Sequence, residues 1–307
     1  MNRNPAGGMT RVCFAITALW ALAGCGGGSR SALVPPGLEP FVPGDAIALA
    51  VADLAALRET AVWRRYAHGA NLPGLDRMVA SAGIDPRTGL DRLLVASDGK
   101  NLLTAAEGKF ESEKVRAAMT KTGAAAETYS GAEVWKVDGR SIAILGGRAV
   151  AGDTAAVRAA LDRAKAHARL PASIAAMTRA IPAGKPIWGA AAAGFRFSFP
   201  DRSNWRNLNR ILGGLQSARA WADAGDGIGL EATGECETED AAGKLSRQLM
   251  GLIGMGRLSV AADQKDLLQA FDAIAVTKSG ASVQVRVDLS APVLEAVAAA
   301  ARQGAKP

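Results

Sequence analysis

Asp98-Gly99 separates two short apolar runs, Leu93 to Ala96 and Leu102 to Ala106, and the same dipeptide recurs at Asp226-Gly227 between Ala218 to Ala222 and Ile228 to Ala232. Aspartate followed by glycine between two runs of strand length reads as a tight hairpin, because glycine adopts the positive φ that such turns need. Ser279-Gly280, between Ile274 to Val276 and Val283 to Val287, is a third site of the same kind. Tight hairpins impose antiparallel pairing, so a chain punctuated in this way builds antiparallel sheets rather than a doubly wound parallel one.

Amphipathic segments stand between the hairpins. Asp53 offers an N-cap to a helix with Leu57, Val62 and Tyr66 on one side, and Leu75 to Ala82 stops at Gly83. Glu111 to Lys121 carries acid in its first turn, and Asp153 is expected to cap a helix that buries Val157, Ala160 and Leu161. Thr238 opens a helix with Ala241, Leu245, Leu249 and Leu252 on one stripe, and Ser290 caps an Ala-rich terminal helix. Ala46 to Val51 and Ile187 to Ala193 are short apolar runs suited to buried strands. The order strand, helix, hairpin, acidic-start helix, hairpin, capped helix thus occurs twice, over residues 45–166 and 187–303, joined by a proline-bearing connection at 167–186. At an offset of 128, Asp98, Gly99, Glu107 and Glu111 coincide with Asp226, Gly227, Glu235 and Glu239, which agrees with an internal repeat. The expected fold class is α+β: two similar halves, each an antiparallel sheet with helices packed on one face.

The start of the chain follows a different logic. Arg3 and Arg11 precede a twelve-residue apolar run, Val12 to Ala23, which ends in small residues. That is the layout of a secretory signal over 1–24, and it falls short of the roughly 20 residues needed to span hydrocarbon. The order Leu22-Ala23-Gly24-Cys25 resembles the lipobox of bacterial lipoproteins. The resemblance implies cleavage before Cys25, diacylation of its thiol and acylation of the new N-terminus. Several acyl chains hold a protein on a membrane where one holds it only marginally. Gly26 differs from the aspartate that retains many such proteins at the inner membrane, so the resemblance favours the periplasmic face of the outer membrane. Residues 25–44, rich in glycine and proline, read as the lipid anchor and a flexible linker spanning about 25 Å. The two-half body is also faintly similar to the duplicated α+β bodies of uncharacterised bacterial lipoproteins, from which no site is carried over.

Of 36 lysines and arginines, Arg3 and Arg11 lie before Cys25, leaving 34 against 29 acids. So mild an excess suits anionic envelope material or an ordinary solvated surface; nucleic acid is not an expected partner. Of the three cysteines, Cys13 departs with the signal and Cys25 carries lipid, so only Cys236 remains and the body must be held by its core. Glu235 and Glu237 beside Cys236 disfavour a thiolate. Gly227 to Ala232 formally fits G-x-G-x-x-A, but it enters an expected strand rather than opening a helix. His68 and His167 fall in separate elements without ligand spacing, and no catalytic or phosphate motif occurs. No enzyme, cofactor or metal is expected.

The candidate contact surface is Phe195, Phe197 and Phe199, alternating on one face of a strand, with Arg202, Arg206 and Arg210 at i, i+4 and i+8 on the helix that follows. Two readings stay open: the phenylalanines fill core while the arginines are solvated, or the aromatics enter an interface while the arginines meet anionic groups. The functional expectation is a lipid-anchored, non-enzymatic interaction or binding module of the cell envelope, with a lipid or small-ligand carrier, and then an envelope hydrolase, as alternatives. Polar groups clustered in a pocket would mark the enzyme, and a sizeable apolar cavity would mark the carrier. Replacing Cys25 by serine is expected to abolish incorporation of labelled fatty acid while the body still folds; labelling equal to that of the parent would refute the lipobox.

Overall fold

The computed structural model of the protein describes residues 34–67, 85, 87–137, 139–195 and 211–304. Within them, one antiparallel sheet of twelve strands runs through the molecule. The first seven are β1 (Ala48–Asp53), β2 (Leu90–Ser97), β3 (Leu102–Gly108), β4 (Ala125–Tyr129), β5 (Ala132–Val137), β6 (Arg140–Ile144) and β7 (Arg148–Asp153). The others are β8 (Ile187–Ala191), β9 (Leu215–Ala224), β10 (Ile228–Cys236), β11 (Ile274–Ser279) and β12 (Ser282–Leu289). The described helices are α1 (Leu54–Arg58), α2 (Ala61–Tyr66), α3 (Ser112–Lys121), α4 (Thr154–Lys165), α5 (Ala172–Thr178), α6 (Glu239–Leu258), α7 (Lys265–Asp272) and α8 (Ala291–Gly304).

The expected α+β class and antiparallel pairing hold, and the expected hairpins form. β2 meets β3 across residues 98–101, where Asp98 Oδ1 accepts the Asn101 and Lys100 N–H groups at 2.6 and 2.8 Å. Those donors, Asn101 first, hold the Asp98 carboxyl below the ordinary carboxylate range. Gly99 supplies the positive φ of 91°. Strand order from the centre outward is β1, β2, β3, β7, β6, β5, β4 on one side and β8, β9, β10, β12, β11 on the other. Corresponding strands of the two halves therefore occupy corresponding places. Instead of two separate sheets, β1 and β8 pair with each other, from Ala48↔Ala191 to Ala52↔Ile187, so each half covers the edge that the other would leave open.

Helices are not confined to one face. Leu49, Val51, Leu94, Leu103 and Val150 point to a face covered by residues 34–42, α4 and α5, here the α4 face. On the opposite face, Leu93, Ala106, Trp135 and Ile142 lie beneath α1, α2 and α3, and Val283 and Leu215 beneath α6; this is the α6 face. The reason is written in the strands: Leu93-Leu94 and Val134-Trp135 are consecutive apolar residues, so both sides need cover. In the second half the apolar α4 face ends at Trp188 and Trp221; beyond them the α4 side of β9, β10 and β12 carries Arg219, Glu231, Thr233 and Gln284.

The expected linker also needs correction. Residues 34–44 belong to the body: Val34, Leu38, Phe41 and Val42 are fully buried against α4 and the strands beneath. Their spacing at i, i+4, i+7 and i+8 is helical, and Glu39–Phe41 forms a 3₁₀ turn; Pro35, Pro36 and Pro40 shorten that helix rather than abolish it. The helix expected from Asp53 is divided at Glu59-Thr60, where Thr60 accepts the Trp63 N–H at 3.1 Å and starts α2. β4 was not expected; its Glu127 accepts from Lys136 and Arg158, which lower its carboxyl and tie the outermost ribbon to α4. The expected helix from Leu75 to Ala82 lies outside the described residues.

Truncation of Phe41 to alanine should cost about 3 to 5 kcal/mol in urea unfolding, as for a buried aromatic. A linker residue would lose nothing measurable.

Candidate functional site

The α6 face of the central strands is hollow. Across β2, β1, β8, β9, β10 and β12 the register places Val95, Ala50, Gly189, Ala220, Ala232 and Val285 in one continuous row. The next row toward the β2–β3 hairpin reads Ser97, Ala48, Ala191, Ala218, Gly234 and Val283. In both rows the four inner strands contribute alanine or glycine alone. Side chains that end at Cβ leave an unfilled layer above the sheet, and the result is a trough of about 450 Å³.

Larger side chains wall it. Leu245 and Leu249 of α6 stand over one end with Leu215, and Leu102, Phe195 and Leu212 stand along the hairpin side. α6 reaches this position because Thr238 caps it, accepting the Ala241 N–H at 3.1 Å, and because Ala242 and Leu245 seat it on Val283. On the other side the third row, Leu93, Ala52, Ile187, Ala222, Leu230 and Val287, brings long side chains back at four of six positions and closes the hollow. The trough is open to water: Ala50 in its floor is exposed, as are Leu102 (49 %) and Ile187 (41 %) at its rims.

No ionised side chain is directed into it among the described residues. Arg219 borders the trough through its backbone, while its guanidinium lies with the odd-numbered residues of β9 and donates to Glu235 at 3.3 Å. The Ser97 hydroxyl donates to the Asn101 carbonyl at 2.8 Å and accepts the Gly99 N–H at 3.0 Å, so its proton and one of its lone pairs are engaged by the hairpin. The floor backbone is likewise paired within the sheet. Water in such a space keeps few partners, which is the condition under which apolar matter displaces it favourably.

Of the residues singled out from sequence, Phe195 is described and forms part of the trough wall. Cys25, Phe197, Phe199, Arg202, Arg206 and Arg210 lie outside the described residues, as does His68. Gly227 to Ala232 runs into β10, and a Cβ on Gly227 would strike the Leu289 carbonyl. The residues that make the trough were missed. Their signal was small side chains at alternate positions of four strands, as in Ala48, Ala50 and Ala52 or Ala218, Ala220 and Ala222. Among the described residues no group of three or more His, Cys, Asp or Glu is placed to hold a metal, and no helix is long and apolar enough to cross a membrane.

Cys236 packs with Ala242, Leu245 and Val283 behind the α6 end of the trough. Burial, and then the Glu235 carboxylate, push its thiol up. Alkylation near neutral pH should therefore run slower in the folded protein than in the unfolded chain, since a raised thiol pKa and burial both reduce the reactive thiolate. Equal rates would overturn this placement.

No protein-family model and no curated protein matches the chain. Among solved structures it is similar to TP0453, a Treponema lipoprotein. Crystal form I gives a TM-score of 0.47 at 10% identity, covering 87% of this chain and 98% of that one. Form III gives 0.48 at 10%, covering 88% and 99%, and form IV gives 0.46 at 11%, covering 87% and 96%.

Proposed function

We propose that this chain is a lipid-anchored protein of the cell envelope whose body binds an apolar ligand, serving as a carrier or receptor for lipid rather than as a catalyst. The observation that carries the reading is the trough. A volume of about 450 Å³ falls in the range of small-molecule sites, and the surface it exposes is almost wholly apolar. Its floor is also accessible, whereas a packing defect in a core would be sealed. Leu22-Ala23-Gly24-Cys25 supports the anchor, which holds the body beside a source of apolar ligand, and Gly26 supports the periplasmic face of the outer membrane. Phe195 in the wall fits the part of the aromatic stretch expected to enter a contact, with the arginines that follow it in sequence as candidates for anionic head groups or envelope polyanions.

The test is extraction of non-covalent lipid from the mature protein purified out of its membrane. Lipid near one equivalent per chain is expected, with less in a variant whose floor is filled by Ala220→Leu. A ligand at a hundred times its Kd stabilises the folded state by about 2.7 kcal/mol, so delipidation should lower the thermal midpoint and added lipid restore it. Protein that carries no lipid and shows no such shift would sink the proposal.

A further inference from the structure

The shape of the trough identifies its occupant more narrowly, on the footing that it is a ligand site. We infer that it accepts one extended hydrocarbon chain of a single-tailed lipid, laid across the strands with its polar end outside. Three features carry this. The small-residue floor is two rows wide, about 7 Å along the strands, yet it crosses β1, β8, β9 and β10 between Val95 on β2 and Val285 on β12, which stand five strand spacings or about 24 Å apart. A space so long and narrow fits a chain and not a compact ring system. Its volume accommodates roughly 15 groups of water or methylene size. Finally, the ligand finds no free backbone partner or hydroxyl proton there: β1, β8, β9 and β10 are all interior strands paired on both sides, and the Ser97 proton is engaged by the hairpin. A peptide would bring backbone N–H and C=O groups that this floor leaves unsatisfied, whereas a hydrocarbon brings none.

The third row then acts as a rail. Leu93, Ile187 and Leu230 stand along one side of the groove and keep the chain running across the strands rather than along them. Chain length is set by the end residues, Val95 at one end and Val285 under Leu249 and α6 at the other.

The experiment uses the full chain carrying Cys25→Ser, kept in solution by an amphipathic polymer instead of detergent. It is titrated with straight-chain fatty acids and lysophospholipids of 8 to 18 carbons, and with a rigid four-ring sterol. Affinity should rise about threefold to fourfold per added methylene and level off near 15 carbons, with the sterol at least tenfold weaker than the best chain. Ala50→Leu places a larger side chain at an exposed floor position where the fold has room for it, and Ala220→Leu does so in the middle of the row. Each should move the plateau to shorter chains by several carbons while circular dichroism stays unchanged. Sterol binding as tight as the best chain, or affinity indifferent to chain length, would overturn the extended-chain inference and leave the apolar-ligand reading standing. Failure of every chain and of the sterol to bind would remove that reading as well, and dimerisation that buries the floor, abolished by Ala50→Leu, would assign the trough to a second copy instead.

Discussion

The pairing of β1 with β8 is the contact on which the rest of the molecule depends. Each strand would otherwise be the exposed edge of its half, with a row of backbone donors and acceptors facing water or another chain. Joined from Ala48↔Ala191 to Ala52↔Ile187, they turn two edges into the middle of one sheet. Further backbone bonds extend the seam past both ends: the Asp53 N–H donates to the Pro186 carbonyl and the Ala192 N–H to the Ile47 carbonyl, each at 2.7 Å. The trough lies astride this seam and has residues of both halves in its floor.

Leaving that floor empty has a stability cost, since alanine and glycine bury little apolar surface and glycine in a strand is entropically unfavourable. The compensation lies elsewhere. On the α4 face the same strands present Leu49, Val51, Leu94 and Trp188, which meet the segment from Val34 to Val42 and the helices above it. The first half has a second core under α1, α2 and α3, around Leu90, Val115, Met119 and Trp135. One side of the central sheet is thus packed as a protein interior while the opposite side is not, and the body needs no disulfide to tolerate it.

Much of this architecture was legible in residues whose effect is local. Asp98-Gly99, Asp226-Gly227 and Ser279-Gly280 specify hairpins because turn chemistry acts over a few residues, and Thr238 or Val157, Ala160 and Leu161 specify helices for the same reason. Three things were not legible. The helical spacing of Val34, Leu38, Phe41 and Val42 was hidden by prolines that, in isolation, signal a linker. Cover on both faces followed from consecutive apolar pairs such as Leu93-Leu94, whose meaning depends on how many layers surround the strand. The trough was the least accessible, because alternate alanines in one strand are unremarked until register sets four such strands side by side, and the central pairing of β1 with β8 relates segments over a hundred residues apart.

Alternating alanines specify register weakly, since a shift of two residues along β1 sets one alanine where another stood. The discriminating information sits on the reverse side, where Leu94, Val51, Trp188 and Trp221 form a single cross-strand row of unequal shapes that admits one alignment. Strand alignment and the shape of the trough are therefore encoded on opposite surfaces of the same strands. Substitutions in the floor can reshape the trough without disturbing how the two halves find each other, so a lineage built on this sheet is free to remodel one face while inheriting one fold.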